Sequence, residues 1–191
     1  MSMEKIRTFI AVRLPERIRH RVADAGNSLK ESGADVKWAP EESLHITIKF
    51  IGAVEPMRLA ALNAAVEQAA CGIAPFAVSI GGAGAFPKIV RPSVVWVGVT
   101  SGVKELETLA GRVESFAEEA GFPREERKFN PHITVGRVKT PVGMQKLSAS
   151  LEKLKHVEAG TFTVDTVSIM KSRLTPSGAV YSAMAEYELK A

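Results

Sequence analysis

Apolar positions along the chain follow two periods, and the changes between them mark the elements. Residues 8–12, Thr-Phe-Ile-Ala-Val, form a short apolar run of buried-strand length. Pro15, whose fixed φ suits a first helical turn, then opens a helix to about Leu29 that Gly33 closes. Residues 44–50 alternate apolar and polar at every position, which predicts a strand with one face in the core, ended by Gly52. A second helix is expected over 57–70, and strands over 76–80 and 94–99, with the Gly-rich stretch 81–87 between them as a loop long enough to reach a site. A helix over 105–120, stopped by Gly121 and Pro123, precedes another alternating strand at His132-Ile133-Thr134-Val135. A short helix over 144–154 follows, and strands over 161–167, 168–174 and 180–188 end the pattern, with Pro176-Ser177-Gly178 as a turn.

This order of elements predicts an α+β fold, with helices covering mostly antiparallel sheets from outside. No low-complexity or Pro-rich linker divides the chain, so residues 1–191 are expected to form a single two-lobed domain. At 191 residues it can bury a core without staples.

Composition narrows the setting. The chain is 46% hydrophobic and 24% charged, and no segment has the apolar length of a membrane span. The first residues pass straight into a strand-like run and lack the apolar stretch of a secretory signal, so cytoplasmic localisation is expected, with no membrane partner. The single cysteine, Cys71, excludes an internal disulfide and reads as a small residue at a helix end. A net charge of +4 favours an anionic partner.

The chemistry lies in the repeated strand. Residues two apart on a strand share a face, so His45 and Thr47 project together, as do His132 and Thr134, while Ile46, Ile48, Ile133 and Val135 turn to the core. A neutral imidazole can take a proton from water and a protonated one can give a proton to a leaving oxygen, so the pair suffices for phosphodiester hydrolysis. The threonine hydroxyls can donate to the non-bridging phosphate oxygens. His20 and His156 have no partner threonine and sit in charged, helix-like surroundings, which assigns them to the solvated surface. No His, Asp, Glu or Cys stands at ligand spacing beside either motif, so no metal is expected.

With these motifs in place the chain resembles the two-histidine phosphoesterase superfamily, and within it the bacterial and archaeal RNA 2',3'-cyclic phosphodiesterases long called 2'-5' RNA ligases. The resemblance extends from Phe9-Ile10-Ala11-Val12-Arg13-Leu14-Pro15 through Phe50-Ile51-Gly52 and Phe86-Pro87. It continues through Arg91-Pro92, Val95-Trp96-Val97-Gly98 and Phe129-Asn130-Pro131 to the run over 172–181. It implies a bilobal, pseudo-twofold fold whose motif strands line a central cleft, with no cofactor. It also implies roles: His45 as proton donor to the departing O3', His132 as proton acceptor from water, and Thr47 and Thr134 on the phosphate oxygens. The motif is symmetric, so only the resemblance distinguishes acid from base. The implied substrate is RNA ending in a 2',3'-cyclic phosphate, with tRNA fragments and cyclic nucleotides as candidate forms. Ligation in a 2'-5' linkage is open to the same groups, and a nucleotide-binding module without turnover is the alternative. A monomer is expected.

Two arginines are candidates for substrate binding. Arg91, after the Gly-rich stretch, either touches the RNA backbone or closes a turn. Arg137 stands at odd spacing from His132 and needs a bulge to reach the phosphate, while Phe50, by the same count, should face the core. Trp96 alternates with Val95 and Val97 and is expected to pack in the core under a helix. Ser93 and Gly136 depart from the family pattern.

Overall fold

Among the residues described by the computed structural model, 4–175 and 178–191, nine strands form two antiparallel sheets. The first runs β3 (His45–Val54), β1 (Ile6–Arg13), β8 (Thr166–Thr175) and β9 (Gly178–Glu188). The second runs β2 (Val36–Trp38), β6 (His132–Val138), β5 (Arg91–Ser101), β4 (Phe76–Lys88) and β7 (Glu158–Val164). Four helices complete the α+β architecture: α1 (Glu16–Lys30), α2 (Leu59–Ala70), α3 (Val103–Glu119) and α4 (Met144–Lys153). Pro176 and Ser177 of the expected turn lie outside the described residues, as do the first three residues.

The helices cross over between sheets. α1 leaves the end of β1 yet packs with α4 on the second sheet, while α3 leaves β5 and packs with α2 against the first. Ile10, Val12, Ile46, Val95, Val97 and Ile133 are almost wholly buried on the helix-facing sides. Each such side chain contributes about 1.5–3 kcal/mol by leaving water. One continuous apolar cluster joins both halves.

The stretch 81–87, expected as a loop, is strand. β4 runs unbroken through it beside β5, with register shifts near Gly81 and at Phe86. The glycines there clear space for a ring. A Cβ on Gly84 would lie 2.3 Å from the Trp96 ring, and one on Gly98 3.1 Å from it. Trp96 itself corrects the second expectation. It pairs with Thr134 and Gly84, so it stands on the face opposite the buried Val95 and Val97, not under a helix. Gly52 does not end β3 either. Its φ of +87° sits where the ladder with β1 shifts register, a bend open to glycine that lets the strand continue to Val54.

Strand β2, three residues long, has no counterpart in the expected elements. It is too short for a period to show, and it matters because Lys37 and Trp38 lie on it.

Candidate active site

The two histidines begin equivalent strands. β3 and β6, one from each sheet, approach to within 8 Å between Cα atoms, and His45 and His132 are their first residues. Each imidazole is fixed by the backbone just ahead of it. His45 Nδ1 lies 2.6 Å from the Ser43 carbonyl and His132 Nδ1 lies 2.7 Å from the Asn130 carbonyl, two residues back in both cases. A carbonyl only accepts, so Nδ1 carries the proton and the Nε2 lone pair is left for chemistry. Thr47 Oγ1 lies 3.0 Å from His45 Nε2.

Aromatic rings flank both imidazoles. His45 packs against Phe9 at 4.8 Å and edge-on to Tyr181 at 5.3 Å, while His132 meets Phe86 edge-on at 4.9 Å and Trp96 at 6.5 Å. This burial holds both imidazoles below the ordinary histidine value. The backbone hydrogen bonds offset part of that effect, and nearby positive charge, His132 for His45 and Arg137 for His132, adds to it.

Both motif strands carry a bulge directly after the threonine. Ala11 pairs with Thr47 and Ile10 with Lys49, which leaves Ile48 extra; Trp96 pairs with Thr134 and Val95 with Gly136, which leaves Val135 extra. Two consecutive residues therefore point inward in each strand, and the next returns to the cleft side. On β6 that residue is Arg137, so the bulge its candidacy required is present. On β3 it is Phe50, which is 61% exposed and not in the core. Uniform alternation misplaced Phe50 because it takes no account of an inserted residue.

A cleft of about 610 Å³ opens between the sheets, lined by His45, Thr47 and Phe50 from β3 and by Thr134 and Arg137 from β6. His132, two residues before Thr134, lies beyond that lining. Arg91 is exposed as the first residue of β5, pairs with Lys88 in the β4–β5 hairpin, and lies outside the lining as well. Arg7, Lys37, Trp38 and Tyr181 contribute to the wall without having been singled out. Only the sheet register shows that Arg7 and Tyr181 share a row, each level with Ser172 of β8. Gly136 has its own physical reason, because a Cβ there would sit 2.6 Å from Val36 Cγ1 and 2.9 Å from the Trp38 ring.

The remaining histidines lie on the surface, His20 beside Asp24 and Glu41 and His156 in the turn after α4. Cys71 is exposed at the C-terminal end of α2. Among the described residues, no group of three or more His, Cys, Asp or Glu gathers where it could hold a metal ion, and no helix is long and apolar enough to cross a membrane.

Known proteins are similar to this chain in sequence and fold. The chain is 38% identical over 185 residues to a Methanothermobacter thermautotrophicus protein named RNA 2',3'-cyclic phosphodiesterase, a match covering 97% of this chain and 100% of that one. An Aeropyrum pernix protein of the same name is 35% identical, with 90% and 95% covered. A crystal structure of a Thermus thermophilus protein superposes with a TM-score of 0.77 at 29% identity, covering 96% and 98%. Escherichia coli LigT complexed with 3'-AMP shares the fold at a TM-score of 0.77 and 22% identity, covering 98% and 100%. The model of the 2'-5' RNA ligase superfamily matches residues 14–175, and with the paired strands above it places this chain in that superfamily, among the two-histidine phosphoesterases.

Proposed function

We propose that the protein hydrolyses RNA 2',3'-cyclic phosphate ends to 2'-phosphomonoesters, with His45 and His132 as general acid and base. The observation that carries this reading is the matched tethering of two imidazoles, each oriented by a carbonyl two residues back and each followed two residues on by a threonine. The names of the relatives supply the substrate class.

The steps balance. His132 Nε2 takes a proton from water as the water oxygen attacks phosphorus, the P–O3' bond breaks, and protonated His45 delivers its Nε2 proton to O3'. The 2'-phosphate leaves, and solvent exchange restores the two protonation states. Of the two Nε2 atoms only that of His45 has a hydroxyl within hydrogen-bond distance among the described residues, which supports His132 as the base with its lone pair free. Thr47 and Thr134 donate to the non-bridging oxygens, and the Arg137 guanidinium adds a fixed positive charge to the phosphate. Arg91 has no part in this arrangement.

An anionic phosphate raises the affinity of both imidazoles for protons, so substrate itself helps load His45, whose proton affinity burial lowers in the free protein. The ligation direction uses the same groups in reverse. Hydrolysis dominates because water is always in excess, whereas a 5'-hydroxyl must be bound in position. His45→Gln and His132→Gln should each lower kcat by about 10²- to 10⁴-fold with circular dichroism unchanged. Near-wild-type turnover in both would overturn the assignment.

A further inference from the structure

The cleft holds more positive charge than one cyclic phosphate needs. Arg7, Lys37 and Arg137 all line it, all three are exposed, none has an ion-pair partner among the described residues, and no Asp or Glu belongs to the wall. A cyclic phosphodiester carries a single negative charge, and Arg137 is the cation whose field reaches His132.

Lys37 starts level with Arg137 in the β2–β6 pair, and its tip extends away from it, while Arg7 stands on the first sheet. Thr47 is level with Ala11 on β1, and Arg7 lies four residues further along that strand, ~13 Å away at ~3.3 Å per residue. Lys37 reaches across from the second sheet. Its Nζ lies 3.9 Å from where a Cβ on Gly178 would stand, at the start of β9. Gly178 pairs with Thr175, three residues past Ser172, which is the β8 partner of Arg7. Arg7 and the tip of Lys37 therefore lie towards the same end of the cleft, Arg7 at the opposite end of β1 from Arg13, the partner of His45, and the exposed ring of Phe50 lies between that end and Thr47 along β3.

We propose that the Arg7 and Lys37 end is a second anion subsite that takes the phosphate 5' to the terminal nucleoside, while the terminal base stacks on Phe50. Resting on the proposed hydrolysis, this makes the substrate class a polynucleotide end, in preference to a cyclic mononucleotide. Three exposed cations without ion-pair partners on one cleft wall favour a polyanionic ligand, and a ligand with two phosphates about one nucleotide apart supplies the charge.

Three substrates separate the contributions: a 2',3'-cyclic mononucleotide, the same nucleotide with a 5'-phosphate, and a dinucleotide with the cyclic end. The 5'-phosphate should raise kcat/KM about tenfold or more, the scale of one charge-assisted hydrogen bond, and the dinucleotide should share that gain. Arg7→Ala and Lys37→Ala should each shrink the ratio of phosphorylated to unphosphorylated substrate. They should also flatten the log–log dependence of dinucleotide KM on salt, by about 0.7 if one contact is lost. Equal kcat/KM for all three substrates would overturn the proposal. So would a gain that needs the second nucleoside, or variants that depress all three substrates by one common factor.

Calorimetric binding of the products, a 2'-nucleotide against a dinucleotide ending in a 2'-phosphate, tests the subsite independently of turnover. Tighter dinucleotide binding that Arg7→Ala abolishes would uphold the subsite even if no substrate is hydrolysed, an outcome that would instead overturn the proposed reaction. Equal product affinities would overturn the subsite.

Discussion

Phe50 and Arg137 occupy equivalent places in the two lobes, each the fifth residue after its histidine and each brought to the cleft by a bulge behind the threonine. The pseudo-symmetry thus extends beyond the two His-Thr pairs to the backbone irregularity that follows them. The side chains at the equivalent places differ, an apolar ring on one side and a guanidinium on the other.

That difference predicts a split in kinetics. Phe50→Ala removes a stacking surface, so it should raise KM for cyclic-phosphate RNA about tenfold with kcat little changed. Arg137→Gln removes the charge that the proposed function sets on the reacting phosphate, so it should lower kcat by about 10²-fold. Steady-state kinetics on one substrate checks both, and the reverse pattern would show that the two positions were given the wrong roles.

The pH dependence follows from the direction of both imidazole shifts. Each value lies below the ordinary histidine value, and the proposed acid-base pair needs one proton between the two rings, so kcat/KM should be bell-shaped and centred on the acid side of 6.5. Rate profiles of the wild type from about pH 4 to 9 would show it; a flat profile contradicts the pairing. Stability carries the same sign. A histidine depressed in the folded state binds fewer protons there than when unfolded, so its contribution is complete above the unfolded value and is lost as pH falls through the folded one. The double variant His45→Gln/His132→Gln should therefore lose less stability on acidification than the wild type in urea titrations.

Behind β3 lies a buried ion pair. Lys49, 3% exposed, donates to Glu114 at 2.6 Å and to the Pro123 carbonyl at 2.8 Å, and the same Glu114 oxygen accepts from the Glu125 backbone at 2.8 Å. Removing one partner leaves an uncompensated charge, so Lys49→Met should cost about 3–5 kcal/mol in denaturant unfolding, and Lys49→Met/Glu114→Leu should recover most of it. Additive losses in the double variant would contradict coupling.

Gly84 gives way to the Trp96 ring. Gly84→Ala should destabilise by about 1–3 kcal/mol through overpacking, and Trp96→Leu in that background should recover part of the loss. Thermal unfolding of the two variants decides it.

Much of this was legible in the sequence. The paired motifs at His45 and His132 stood out because strand period and residue chemistry agree there, and the helices followed from Pro15, Gly33, Gly121 and their apolar stripes. What failed shares a cause. Glycines 81, 82 and 84 read as turn residues when their task is close approach and bulging within a strand, and strict alternation turns Phe50 inward because it omits the one inserted residue that reverses every later side chain. Arg7, Lys37 and Tyr181 could not be read as cleft residues at all, since their positions depend on which strands pair across the sheets. A basic residue beside an apolar run carries no signal of its own.

The central claim is most directly tested by phosphorus NMR of a short RNA ending in a 2',3'-cyclic phosphate, incubated with the protein in EDTA. The account predicts conversion of the cyclic resonance to a 2'-phosphomonoester alone. An unchanged spectrum, or a 3'-phosphate product, would contradict it.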